Sequence, residues 1–158
     1  MSGSIPRVLV SACLFGINCR YSGDGCKGAP AQELARDFCL IPVCPEQLGG
    51  LPTPRAPHEI LGSRVVDSEG NDGTQAFERG AREALRIAKL LGCEFALLKE
   101  RSPSCGTTCV YDGTFSGKRI AGMGVTARLL ASAGLKLFSE ECIDDLKDAL
   151  RVAYSGGD

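Results

Sequence analysis

The chain has 158 residues, of which 44% are hydrophobic and 23% charged, so it can form one domain of ordinary size around its own core. Its formal charge of -1 gives no overall positive field that would attract nucleic acid. No apolar run is long enough to span a bilayer, and the first residues contain no secretory apolar segment. We therefore expect a single cytoplasmic domain over residues 1–158, with no membrane or nucleic-acid partner.

Strand and helix patterns alternate along the chain. Apolar, β-rich runs predict strands over residues 7–12, 39–43, 94–98 and 135–138. Capping residues and helical spacing predict helices over residues 31–37, 75–91, 124–133 and 139–152. This order favours an α/β fold, a three-layer α/β/α sandwich with a mostly parallel sheet.

The segments between these elements have weaker patterns. The proline- and glycine-rich stretch from Pro45 to Pro57 is expected to be irregular. A short edge segment is expected over residues 60–66, and a small hairpin or loop with an Asp-Gly turn over residues 110–115. Residues 122–127 match a Gly-x-Gly-x-x-Ala pattern, which we interpret as close helix packing or a helix N-terminus facing the site, rather than nucleotide binding, because no clear strand precedes it.

The composition is unusual in having nine cysteines but a single histidine, His58. The cysteine count is odd and a domain of this size does not need disulfides, so metal binding or catalysis is the better explanation. One histidine is too few for a histidine-rich zinc site. A set rich in thiolates suits an iron-sulfur cluster, or zinc held by four thiolates.

Three of the cysteines, Cys13, Cys44 and Cys105, follow the ends of predicted strands and precede loops rich in glycine or proline. Ligands of open α/β sheets bind beyond the carboxyl ends of the strands, so we expect these thiols to converge at one edge. Three thiolates on a cluster would leave one iron without a protein ligand. Such an open position can bind and polarise a substrate atom.

The other cysteines leave alternatives open. Cys19, Cys26 and Cys109 lie in loops that start at the same edge, where a fourth thiolate would close the cluster and produce an electron carrier or a structural site. The remaining thiols fall in or beside regular elements and are interpreted as packing residues: Cys39, Cys93 and Cys142.

Polar residues near these cysteines are candidates for catalysis. Glu46 is either a solvated surface residue or, if buried near a cluster, a group that carries a proton or activates water. Ser102 is a turn hydroxyl or a hydrogen-bond partner of substrate or water, since it lacks a histidine partner that would make it a nucleophile. Arg20 and Arg55 are either structural or bind an anion or carbonyl. His58 is interpreted as a loop residue without catalytic importance.

Four groups of motifs, in order and covering nearly the whole chain, resemble the thiouracil desulfurase family. They are Ser11-Ala12-Cys13-Leu14-Phe15-Gly16 with Arg20-Tyr21, Val43-Cys44-Pro45-Glu46 with Gly49-Gly50-Leu51-Pro52 and Pro54-Arg55, Leu98-Lys99 with Ser102-Pro103-Ser104-Cys105-Gly106, and Gly122-Met123-Gly124-Val125-Thr126. The family usually has Asp after Arg-Tyr, whereas Ser22 stands here.

The resemblance implies a [4Fe-4S] cluster on Cys13, Cys44 and Cys105, with Glu46 as catalytic acid and Ser102 as the family's serine. It implies hydrolytic removal of sulfur from a thiolated pyrimidine such as 2- or 4-thiouracil, giving uracil and hydrogen sulfide. The alternative is a non-enzymatic iron-sulfur or zinc module with a fully thiolate-ligated site. The sequence leaves open whether the substrate is a free base, a nucleotide or tRNA thiouridine, and it does not define an oligomeric state.

Overall fold

The computed structural model describes residues 5–155, so the expectation about a secretory segment at residues 1–4 lies outside the described residues. The strands are β1 (Arg7–Ser11), β2 (Cys39–Val43), β3 (His58–Leu61), β4 (Arg64–Asp67), β5 (Phe95–Leu98), β6 (Cys109–Tyr111), β7 (Arg119–Ala121) and β8 (Lys136–Ser139). The α-helices are α1 (Pro45–Leu48), α2 (Thr74–Leu91), α3 (Val125–Ser132) and α4 (Ile143–Tyr154). Short 3₁₀ helices cover Ala12–Phe15, Gln32–Arg36 and Glu140–Cys142.

The central sheet has four parallel strands in the order β2-β1-β5-β8. Strand β1 lies inside the sheet, where Leu9 is in register with Ile41 on one side and with Ala96 on the other. Parallel strands covered on both faces are expected to be apolar throughout, and Val8, Leu9 and Val10 are fully buried. The predicted strands are therefore confirmed to within one residue at each end.

Helices cover both faces of the sheet. On one face Val8 and Val10 belong to a core that includes Leu146 and Leu150 of α4. On the other face Leu9 packs in a core formed by α2 and α3, whose buried residues are Ala84, Ala88, Ala127 and Leu130. Successive side chains of a strand point to opposite faces, so one apolar strand supplies both cores. The predicted three-layer α/β/α sandwich is confirmed.

Two small antiparallel hairpins, β3–β4 and β6–β7, lie outside the central sheet. They contact each other through Glu59, whose carboxylate accepts hydrogen bonds from the backbone N–H groups of Gly113 at 3.0 Å and Phe115 at 3.1 Å. The expectation of a single edge segment over residues 60–66 is wrong, because Gly62 adopts a φ of +64° and turns the chain back on itself.

Other differences concern short elements. The stretch after β2 is not wholly irregular, because Pro45 occupies the first turn of α1, where its fixed φ suits a helix and its missing N–H is not needed. The segment predicted as a helix over residues 31–37 is a 3₁₀ helix. Ser139 caps a 3₁₀ turn that continues into α4. Within residues 5–155, no helix combines the length and apolar composition needed to cross a membrane.

Candidate active site

A cavity of about 450 Å³ opens at the carboxyl edge of the central sheet, beyond the ends of β1, β2 and β5. Its wall includes all five residues that the sequence assigned to the site, namely Cys13, Cys44, Cys105, Glu46 and Ser102. The two hairpins also contribute to the wall, through His58, Glu59 and Tyr111. The structure therefore brings the predicted residues together, while their roles stay predictions.

Backbone hydrogen bonds fix the three cysteines. The carbonyl of Cys13 accepts from the N–H groups of Gly16 at 3.0 Å and Cys26 at 2.9 Å. Cys44 is the N-cap of α1, and its carbonyl accepts from Leu48 N–H at 2.9 Å. The N–H of Cys105 donates to the hydroxyl oxygen of Ser102 at 3.0 Å. Each cysteine is thus held by a turn that follows a strand of the central sheet.

The segment that carries Cys44 and Glu46 is seated directly on α2. A Cβ at Gly80 would lie 1.8 Å from the carbonyl oxygen of Pro45, and a Cβ at Gly49 would lie 1.9 Å from that of Ala76. Only glycine permits this approach between two backbones. The contact sets the position of α1, and with it the position of Cys44 relative to the other two thiols.

The glycine-rich segment at residues 122–127 packs against the loop that carries Cys105. A Cβ at Gly124 would lie 2.4 Å from the carbonyl of Ser104, and the hydroxyls of Ser104 and Thr126 are 2.8 Å apart. The N–H of Thr126 donates to the Ser104 carbonyl at 2.9 Å. The close packing expected of this motif is therefore present in the structure.

A fourth thiol, Cys19, also lines the cavity and is 3% exposed. Hydrogen bonding to the Cys13 side chain raises the pKa of Cys19 to about 11, although the bond to Cys44 acts in the opposite direction. The pKa of Cys44 is raised mainly by its bond to Cys19 and by burial. Burial raises the pKa of Cys105 to about 12. These thiols hold their protons in the metal-free protein, and metal binding would release them.

Four thiols belong to the wall of the cavity, those of Cys13, Cys19, Cys44 and Cys105. Within residues 5–155, no group of three or more histidine, cysteine, aspartate or glutamate side chains forms a site for a single metal ion. A structural zinc needs four donors at about 2.0–2.3 Å from one centre. Neither Cys26 nor Cys109 belongs to the wall of the cavity. Beside the three cysteines assigned from the sequence, Cys19 is therefore the one further thiol of the described residues in this wall.

Glu46 is held at the cavity wall by one cation. The Nε of Arg55 donates to Oε1 of Glu46 at 3.2 Å, and the two side chains are 4% and 16% exposed. Among the described residues, the second carboxylate oxygen of Glu46 accepts no hydrogen bond from the protein. Of the two alternatives for Glu46, a solvated surface residue or a buried group near the cysteines, the structure shows a side chain that is largely buried. One of its carboxylate oxygens is available to a ligand.

Ser102 stabilises the turn before Cys105. Its oxygen accepts from the N–H groups of Ser104 at 3.1 Å and Cys105 at 3.0 Å. These bonds use the lone pairs of the hydroxyl and leave its proton as a donor at the cavity wall. Both roles that the sequence allowed for Ser102, as a turn hydroxyl and as a hydrogen-bond partner, are compatible with this geometry.

His58 differs from its prediction as a loop residue. It begins β3, lines the cavity and packs its ring 5.2 Å from that of Phe77. Its Nδ1 lies 2.9 Å from the carbonyl oxygen of Ala56. Arg20 also lines the cavity and pairs with Asp24 at 3.5 Å.

Sequence reasoning gave no role to Glu100, which is 2% exposed at the end of β5. Its carboxylate accepts six hydrogen bonds at 2.6–3.3 Å from backbone and hydroxyl donors of the following loop. The donors are Arg101 N–H, Thr107 N–H and O–H, Thr108 N–H and O–H, and Cys109 N–H. Burial raises the pKa of Glu100, but the hydrogen bonds outweigh it and lower the pKa to about 2.

Comparisons with known proteins agree with this geometry. A family model described as 2-thiouracil desulfurase matches residues 8–142. An uncharacterized protein, YbbK of Bacillus subtilis strain 168, is 42% identical over an alignment of 149 residues, and the match covers 88% of this chain and 99% of the relative. A solved structure described as the [4Fe-4S]-dependent thiouracil desulfidase TudS is 42% identical, with a TM-score of 0.85 over 93% of this chain and 99% of its own. The resemblance read from the motifs is confirmed, and the chain belongs to the 2-thiouracil desulfurase family.

Proposed function

We propose that this protein is a [4Fe-4S]-dependent enzyme that hydrolytically removes sulfur from a thiolated pyrimidine, converting thiouracil to uracil and hydrogen sulfide. The observation that carries this proposal is that Cys13, Cys44 and Cys105 line one cavity together with Glu46 and Ser102. Membership of the family and the likeness to a protein described as a thiouracil desulfidase support the same activity.

The residues present fit such a cluster. Three thiols from three separate segments surround a cavity of about 450 Å³, and thiolates are the usual ligands of iron-sulfur clusters. We assign Cys13, Cys44 and Cys105 as the ligands. Bound there, the cluster would supply an iron without a protein ligand, a soft Lewis acid that prefers a thiocarbonyl sulfur to an oxygen.

The protein's own groups would move the protons. The reaction exchanges a C=S for a C=O bond, since water supplies the oxygen and two protons leave with sulfur as H₂S, so no net electron transfer is needed. We assign Glu46 to take a proton from the attacking water and pass it to the departing sulfide, because its second oxygen is free. The Ser102 hydroxyl would donate a hydrogen bond that orients the substrate pyrimidine or the attacking water.

We infer that residues 1–158 act as one domain on a small molecule. A cavity of this size suits a small ligand, and the charge of -1 gives no electrostatic attraction to tRNA. All nine cysteines are free thiols, which suits a reducing compartment such as the cytoplasm.

The test is sulfide release from 2- and 4-thiouracil by anaerobically purified protein, with iron and acid-labile sulfide measured in parallel. We expect Cys13→Ser, Cys44→Ser and Cys105→Ser each to lose both iron and activity. Cys109→Ser is the matched control, because Cys109 lies four positions after Cys105 but outside the cavity wall, and it should retain both. Full activity in protein without iron would contradict the proposal.

Cys19 favours one second candidate, a closed cluster without catalytic activity. Its thiol lines the cavity, and the Cys44 thiol donates to the backbone carbonyl of Cys19 at 3.6 Å. Electron paramagnetic resonance of the reduced cluster distinguishes the two. If the site is open, adding thiouracil changes the signal of the wild type. If Cys19 closes the site, thiouracil leaves the wild-type signal unchanged and changes it only in the Cys19→Ser variant.

A further inference from the structure

The guanidinium of Arg55 is buried at the cavity wall and makes four hydrogen bonds. Besides the bond from Nε to Glu46, its Nη2 donates to the carbonyl oxygen of Cys19 at 2.9 Å. Its Nη1 donates to the Pro52 carbonyl and to the Thr53 hydroxyl, both at 3.1 Å. A planar group with five N–H donors in fixed directions is suited to hold several acceptors in one geometry.

These bonds join three segments, of which the loop of Cys19 is distant from Arg55 in sequence. One is α1, which carries Glu46; the second is the loop of Cys19; and the third is residues 52–53. The backbone adds a further link, because the N–H of Arg55 donates to the Tyr21 carbonyl at 2.9 Å. Gln47 of α1 also bonds the Thr53 hydroxyl, at 2.7 Å. These bonds fix the position of the Arg55 guanidinium, and therefore the position from which its Nε donates to the Glu46 carboxylate.

Other cations of the cavity have no such arrangement. Arg20 pairs with Asp24, whose side chain is 56% exposed, and Lys99 pairs with Glu140 at 2.9 Å. Neither touches Glu46. Arg101 pairs with Glu141, which does not line the cavity. Among residues 5–155, the Arg55–Glu46 pair is the one ion pair in which both partners line the cavity, and its cation is 4% exposed.

We propose that Arg55 is a positioning residue that holds Oε1 of Glu46 and so orients the second oxygen toward the reacting substrate. This inference rests on the proposed function, because it assigns Arg55 a part in that reaction. A rigid, anchored donor fixes the carboxylate in a single orientation, and misplacement of a reacting group by about 1 Å can reduce turnover by roughly 100-fold.

The test is a double-mutant cycle on kcat for sulfide release, using Arg55→Gln, Glu46→Gln and the double variant. If Arg55 acts through Glu46, Arg55→Gln lowers kcat by roughly 10- to 100-fold in the wild-type background and has no further effect in the Glu46→Gln background. KM changes much less, because substrate binding is not the step affected. Arg55→Lys keeps the charge but not the fork of donors, so it should retain a kcat between those of wild type and Arg55→Gln.

Arg79→Gln is the matched control. Arg79 also supports this segment, since its guanidinium lies 3.5 Å from the Gly49 carbonyl, but it does not touch Glu46 or line the cavity. We expect its kcat to stay within about twofold of wild type. Iron content, the resonance spectrum of the reduced cluster and the thermal midpoint are measured for every variant, so that a loss of cluster or fold is seen directly.

Two results would overturn the inference while leaving the proposed function intact. One is an equal loss of kcat on Arg55→Gln in both backgrounds, which would show that Arg55 acts independently of Glu46. The other is loss of iron in both Arg55→Gln and Arg55→Lys, which would make Arg55 a support of the cysteine segments. Absence of sulfide release by the iron-loaded wild type would instead contradict the proposed function, and the inference with it.

Discussion

Two glutamates close to strand ends at the same edge of the sheet differ in the number of hydrogen bonds that their carboxylates accept. Glu100 follows β5 and receives six hydrogen bonds at 2% exposure. Glu46 lies in α1 just after β2 and receives one bond, from Arg55. Both are acidic residues in a cavity wall, and the difference lies in how many donors each carboxylate meets.

The comparison shows how to tell a structural carboxylate from a reactive one. Saturation with donors holds the pKa of Glu100 at about 2, despite the opposing effect of burial, so it stays ionised and cannot exchange protons near neutral pH. Glu46 retains an oxygen that is not bonded to the protein among the described residues. The first residue builds the loop of Cys105 and Ser102, and we assign the second to the chemistry.

The largest expected effect is on turnover. Glu46→Gln should lower kcat for sulfide release by roughly 100- to 10,000-fold, because the amide cannot carry a proton. The amide oxygen can still accept the bond from Arg55, so we expect the iron content to be unchanged and the free energy of unfolding to fall by less than about 2 kcal/mol. Steady-state kinetics and iron analysis of the same preparation check this. Loss of iron instead would make Glu46 structural.

The next effect is on stability. Glu100→Gln should lower the free energy of unfolding by about 3 kcal/mol, because the amide places its own donors against the N–H groups of the loop. Glu141→Gln is the control, since Glu141 is 54% exposed and its ion pair with Arg101 should contribute about 1 kcal/mol or less. Urea denaturation of the three proteins at pH 7 measures both. Equal stability of wild type and Glu100→Gln would remove the contrast between the two glutamates.

The pH dependence of that effect follows from the direction of the pKa shift. The pKa of Glu100 falls from an ordinary 4.5 to about 2, so its contribution to stability is present above pH 4.5 and is lost as the pH falls towards 2. The gap in unfolding free energy between wild type and Glu100→Gln should therefore shrink over this range, by at most about 3 kcal/mol. Denaturation curves at several pH values test this. A constant gap would mean that the pKa is not lowered.

The smallest effect concerns one donor of the Glu100 site. The Thr107 hydroxyl donates to the carboxylate at 2.6 Å. Thr107→Val keeps the shape and removes this bond, which should lower the free energy of unfolding by about 1–2 kcal/mol, whereas Thr107→Ser should retain most of it. Differential scanning calorimetry of the pair resolves a change of this size. Unchanged stability of Thr107→Val would show that this hydrogen bond contributes nothing.

Much of the scaffold was predictable, because its signals are local. The strands that end near Cys13, Cys44 and Cys105 are continuous apolar runs, and buried parallel strands require that pattern. Parallel topology then brings strand ends to one edge, which is why the convergence of three distant thiols could be expected from sequence alone.

The rest depends on contacts between segments. The helical turn at Pro45–Leu48 packs directly on α2, where Gly49 and Gly80 allow the two backbones to approach. The sequence of the turn itself does not indicate that it packs on α2. The role of Glu100 arises from donors one to nine positions later, which meet it only after the loop has closed. The Arg55–Glu46 bond likewise requires the folded loop between them.

The strand order has a consequence for biosynthesis. β1 lies between β2 and β5, and each of these three strands is followed by one of the cysteines that line the cavity. During translation the first two thiols can be set side by side early, but the third arrives only after about two thirds of the polypeptide has left the ribosome. The cavity therefore forms late in synthesis, and the proposed cluster would meet all three of its cysteines only after β5 has joined the sheet.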